Sequence, residues 1–169
     1  GAIRAEPLVL SFYDQYYPSL SLQIAAKYLN LAPKDIGVRL GEGVKLGKLN
    51  IVTDTALQMN TFFYTAKSGQ SAFPVDSFFD VYSGKIPVNK YKGKIVLIGM
   101  AATGDGSDNQ ITPISSSMKP IETLAHSVAS ILNEDFFVSP AWSTWAQLAI
   151  WLLVALYLII LLPRFKAGK

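Results

Sequence analysis

Cysteine is absent from the 169 residues, which excludes disulfides, thiolate metal centres and a cysteine nucleophile in one step. Histidine occurs once, at His126. Any Ser-His-Asp triad has to be built on that residue, and a multi-histidine metal site is out of reach within the chain. Charge is also scarce, with 15 Lys and Arg against 12 Asp and Glu for a net +3. So small an excess does not indicate a nucleic-acid surface. The opening Gly1–Glu6 has neither a basic n-region nor an apolar h-region. Delivery to a membrane is therefore expected from an upstream segment or from the C-terminal helix itself.

What the chain has in excess is apolar residues, half of the total, and much of that excess sits in one block. From Ala141 to Leu162 no residue is charged, and from Trp145 to Leu162 only Gln147 interrupts the apolar run. At 1.5 Å per residue these lengths make a helix of about 27 to 33 Å, the thickness of a hydrocarbon core. Trp142 and Trp145 stand at its start, where indole rings favour the headgroup region, and Arg164, Lys166 and Lys169 follow Pro163 at its end. The lipid bilayer is thus the first expected partner. The positive-inside rule puts the C-terminus in the cytoplasm and the remainder on the periplasmic or extracellular side of a cell inner membrane. The expected divisions are residues 1–139 as one α/β domain, 140–163 as a single-pass helix and 164–169 as a cytoplasmic tail.

Within the domain, Pro7–Tyr13 reads as a strand, and the nearby Phe12, Tyr13, Tyr16 and Tyr17 read as core around its end rather than as an exposed contact. Ser19 has the character of an N-cap, and Leu20, Ile24, Ala25, Tyr28 and Leu29 recur at helical spacing up to Asn30. From Asp35 to Thr53, short runs broken by Gly37, Gly41, Gly43 and Gly47 predict hairpins. A further strand is expected over Asn60–Thr65, then a short helix at Ser77–Tyr82 capped by Asp76 and stopped by Gly84. Lys94–Gly99 is nearly continuous in apolar residues, the signature of a strand buried on both faces. A polar loop and an amphipathic helix, marked by Ile121, Leu124, Ala125, Val128, Ala129 and Leu132, follow it. The pattern predicts an α/β fold, a mixed sheet flanked by helices and followed by one C-terminal transmembrane helix.

The loop after that strand carries the best ligand candidates. Gly99 and Gly104 supply backbone freedom, and Thr103, Asp105 and Asp108 supply polar groups, just past the carboxyl end of a strand, where open α/β sheets bind ligands. The glycine spacing fits neither a phosphate-binding loop nor a dinucleotide fingerprint. Asp105 and Asp108 are too few to hold a hard cation, so no metal is expected. Glu122 and His126 lie four apart on the predicted helix, where a pair would favour the protonated imidazole.

At Tyr91–Gly99 the sequence resembles a known family, the second type of CHASE domain, an extracellular sensor associated with cyclases, histidine kinases and serine/threonine kinases. The resemblance extends over Ser77–Val81, Gly84–Pro87, Gly99–Gly104, Thr112-Pro113 and Ile121–His126, from about Asp76 to the membrane. It implies a signal-input domain. Taken together, the candidate ligand contacts are Gly99, Thr103, Gly104, Asp105, Asp108, Thr112, Glu122 and His126, and neither catalysis nor a cofactor is expected. The resemblance also implies that Gly1–Arg4 opens partway through such a domain, whose N-terminal half is another polypeptide segment. Further transmembrane helices or a homo-oligomer are partners to expect if the chain is instead an accessory subunit, with the Leu148, Trp151, Leu152, Ala155 and Leu156 side of its helix buried against them.

Overall fold

The computed structural model describes residues 1–39, 41–65, 71–100, 109–138, 140 and 142–160. It resolves into two compact units, Gly1–Phe137 and Val138–Lys169. The first is an α/β unit with short strands and three α-helices among the described residues. The strands are β1 (Ala5–Pro7), β2 (Val9–Phe12), β3 (Gln15–Pro18), β4 (Ile36–Arg39), β5 (Gly43–Leu46), β6 (Leu49–Ile51), β7 (Gln58–Thr61), β8 (Gln110–Thr112), β9 (Ser115–Met118) and β10 (Phe136–Phe137). Between them lie α1 (Leu20–Tyr28), α2 (Phe78–Tyr82) and α3 (Pro120–Asn133).

Each helix starts where local chemistry allows it. The Ser19 hydroxyl accepts the Leu22 N–H at 3.3 Å, satisfying one of the otherwise unpaired donors of the first turn of α1. Pro120 occupies the first turn of α3, where a missing N–H costs nothing, and Glu134 closes it in the left-handed conformation. Ser77 rather than Asp76 stands at the N-cap position of α2, without a side-chain capping hydrogen bond. Asp76 instead accepts hydrogen bonds from Lys90 Nζ at 2.7 Å and the Tyr91 hydroxyl at 2.8 Å, tying the approach to α2 to the turn over residues 88–91. These two donors, Lys90 first, hold the Asp76 carboxyl below its ordinary range.

Pairing is antiparallel throughout the described strands. The order β1-β7-β10 makes one sheet, β4-β5-β6 a meander, and β2-β3 and β8-β9 two hairpins. The glycine punctuation from 37 to 47 therefore marks the meander as expected. The core lies between α1, the meander and α3, with Leu8, Leu22, Ala25, Val44, Leu46, Ile51, Met59 and Ile131 all buried. Each such side chain contributes about 1.5 to 3 kcal/mol on leaving water, apart from the smaller alanine.

Two expectations about apolar residues fail. The Phe12, Tyr13, Tyr16 and Tyr17 cluster is exposed, because Tyr13 and Asp14 both adopt positive φ (47° and 59°) and turn β2 sharply into β3. That two-residue reversal keeps only Val9 of β2 in the core. Lys94–Gly99 forms no strand among the described residues, and Val96 and Ile98 are exposed. Its apolarity expresses a need for burial on both faces that residues 1–100 and 109–138 do not meet.

The second unit contains α4 (Ser143–Ile160), 18 residues with a mean hydropathy of 1.9 and none of its span buried. A helix of that length and composition is suited to cross a bilayer. Trp142 and Trp145 are exposed at its start, while Arg164 and Lys166 lie outside the described residues.

Candidate functional site

The buried side of α3 carries polar residues beside the apolar Val128 and Ile131. His126, Ser127 and Ser130 are all buried. Ser130 Oγ accepts the Phe62 N–H at 3.0 Å and donates to the Phe62 carbonyl at 3.1 Å. His126 Nδ1 accepts the Tyr64 N–H at 3.2 Å, and Ser127 Oγ lies 3.4 Å from Thr61 Oγ1. Asn133 and Asp135 then hold the Tyr64 hydroxyl, Asn133 as donor and Asp135 as acceptor. The helix thereby takes the place of a neighbouring strand, supplying side-chain partners to backbone groups that would otherwise be orphaned. This is why β7 ends at Thr61 and does not run to Thr65 as its sequence predicts.

His126 is only 2% exposed, ringed by Phe63, Tyr64 and Phe73 with centroids 4.9 to 6.0 Å away. The expected pair with Glu122 is not formed, and burial pushes the imidazole below its ordinary value of 6.5, opposite to what a carboxylate partner would do. Accepting at Nδ1 requires a neutral ring with its proton on Nε2. Protonation converts that acceptor to a donor and breaks the bond to Tyr64. Because the folded state disfavours the charged form, stability is full above 6.5 and declines as the pH falls below it toward the depressed folded value. We expect urea titrations of the intact protein in detergent to show this decline, and His126→Gln to flatten it while lowering stability at neutral pH. An unchanged slope in the variant would assign the pH dependence to other groups.

Beside this seam is a cleft of ≈360 Å³ between β1, β7, β8 and the N-terminal half of α3. Apolar walls come from Ile3, Pro7, Pro120 and Leu124, and polar groups from Glu6, Thr61, Gln110, Thr123 and Ser127. The Gln110 amide oxygen is buried and takes no hydrogen bond from any described residue, an orphaned acceptor of a sort that water or a ligand donor commonly satisfies. On the opposite side Glu6 accepts the Ser21 hydroxyl, fixing its carboxylate. The chemistry of the cleft is acceptor-rich, suited to a small molecule bearing N–H or O–H donors and an apolar edge.

Of the expected contacts, Gly99, Thr112, Glu122 and His126 are described, and none of the four lines this cleft. Gly99 rests on the first turn of α3, where a Cβ would come within 2.8 Å of Ile121 Cγ1. Thr112 is two residues from Gln110 on β8, but its hydroxyl is engaged with the backbone of Ser115 at 3.2 Å both as donor and as acceptor. Glu122 and His126 belong to α3 without lining the cleft. Thr103, Gly104, Asp105 and Asp108 lie outside the described residues. Glu6, Thr61, Gln110 and Ser127 were missed. For Ser127 and Ser130 a signal existed: two serines three apart on the apolar side of an amphipathic helix, where a polar group must find a partner.

The chain thus comprises a folded α/β unit with a cleft and, after it in sequence, an apolar helix long enough to cross a membrane. A model of the CHASE2 domain family matches residues 1–161, and the chain belongs to that family of extracellular sensor domains. The match bears out the resemblance at Tyr91–Gly99 and reaches well upstream of Asp76. No curated protein and no solved structure matches the chain.

Proposed function

We propose that this chain is the non-catalytic signal-input part of a membrane receptor, with residues 1–138 outside the cytoplasm and residues 164–169 inside. A small, donor-bearing ligand in the cleft beside α3 shifts the balance between two arrangements of the domain, and the C-terminal helix carries that shift across the bilayer. The observation that supports this reading best is the sensor-family match running through both domain and membrane helix, residues 1–161. The cleft adds a place for a ligand, with the orphaned Gln110 acceptor to receive it. Coupling requires only that the ligand bind one arrangement better than the other, since an equilibrium shifts by no more than the difference in affinity.

The test is a fusion of residues 1–169 to a cytoplasmic cyclase or kinase of measurable output. Filling the cleft with Ser127→Leu or Leu124→Trp is expected to fix the output at one level, whatever the medium outside. Cleft-filled fusions that respond to the medium as the unmodified fusion does would exclude the cleft as the input site.

A further inference from the structure

Of the described residues that line the cleft beside α3, Glu6 alone is charged. Glu6 pairs with Met59 across β1 and β7, so its side chain leaves the sheet on the face that Met59 turns to the core and Thr61 turns to Ser127 of α3. It is half-buried and forms no ion pair among the described residues. Arg4 and Lys119, the basic residues nearest the lining in sequence, are not part of it, and Lys119 Nζ donates to Asn109 Oδ1 at 2.8 Å. Residues 101–108, which precede β8 in sequence, include Asp105 and Asp108 and neither Lys nor Arg. A carboxylate left without a cation beside a cavity of low dielectric favours a positive occupant.

We propose that the ligand of this cleft is a primary ammonium compound with a short aliphatic body, an inference that rests on the cleft being the input site. Two acceptors call for donors there, the Glu6 carboxylate and the buried Gln110 amide oxygen, which no described residue satisfies. An –NH₃⁺ group has three N–H donors, enough for both and for one hydroxyl oxygen of Thr61 or Ser127. A quaternary ammonium has no such donor, and the cleft has no aromatic ring among its described lining to hold one by its face. A hard metal ion would meet the apolar surface of Ile3, Pro120 and Leu124, which suits a carbon chain instead. Carboxylates and phosphates are repelled by Glu6 and find no Lys or Arg in the lining. At ≈360 Å³ the space lies toward the small end of ligand sites, about 300 to 1,000 Å³.

Binding is followed in the intact chain, in a neutral detergent, through the ¹³C-methyl resonances of Ile3 and Leu124 in the lining. The probes are n-butylammonium, butyltrimethylammonium, 1-butanol and butyrate, which share a butyl or butanoyl chain and differ in the polar end. n-Butylammonium is expected to bind on the order of tenfold more tightly than each of the other three, and Glu6→Gln to remove that preference. Equal or tighter binding of any other probe would overturn the proposal while leaving the cleft as a ligand site. A preference that survives Glu6→Gln would also overturn it. No shift of either methyl with any probe would overturn both the proposal and the cleft as input site. The four-probe comparison uses the unmodified chain and so decides the matter whether or not the variant folds.

Discussion

Replacing Gly43 with alanine is expected to destabilise the α/β unit by roughly 3 to 5 kcal/mol, combining backbone strain with a steric clash. Gly43 opens β5 at φ +136°, where L-residues are strained, and an added Cβ would lie 2.1 Å from the Ile51 carbonyl oxygen. That oxygen belongs to β6, whose Ile51 pairs with Val44, and both side chains are in the core. Relief therefore requires β6 to move off β5 and open the core at Val44. Gly41 provides the internal control: its φ is +83°, yet a Cβ there meets nothing within 4 Å. Gly41→Ala is expected to cost only the strain, about 1 kcal/mol. Denaturant midpoints of the intact protein in detergent measure both, and equal losses would mean that no clash exists at Gly43.

Truncating Ile131 to alanine is expected to cost about 2 to 5 kcal/mol, the range for a large core side chain whose cavity does not collapse. Ile131 is fully buried on α3 within the cluster that holds Leu22 and Ala25 of α1. The adjacent Ser130 is fixed to both backbone groups of Phe62, which limits how far the helix can settle into the void. Leu132, one position on, is only partly buried, so Leu132→Ala should cost less. A loss at 131 below about 1 kcal/mol would mean that α3 does not anchor the core.

These two sites also show what the sequence makes legible. Ser19, the helical spacing behind it and the glycines from 37 to 47 specify α1 and the meander, since capping and turn chemistry are local. α3 and the apolar helix follow from periodicity and length in the same way. The end of β7 does not, because it is set by Ser130 and His126 reaching back from more than 60 residues away. Side-chain spacing placed Glu122 beside His126 but could not reveal that the imidazole turns inward to the Tyr64 N–H. Lys94–Gly99 shows the same limit: an apolar run states that burial is needed and says nothing of what supplies it. Sequence reasoning named as ligand contacts none of the residues that line the cleft: Gly99 lies against Ile121 of α3 and Thr112 two residues from Gln110, both outside the lining. The orphaned amide of Gln110 becomes informative only when its surroundings are known.

Everything proposed for function depends on which side of the membrane the α/β unit occupies. A reporter active only in the cytoplasm, fused after Lys169 and, separately, inserted at Lys48 in the exposed turn between β5 and β6, decides this directly. A sensor domain outside the cytoplasm gives activity at Lys169 and silence at Lys48. Activity at Lys48 with silence at Lys169 would contradict it, placing the cleft and its ligand on the cytoplasmic side.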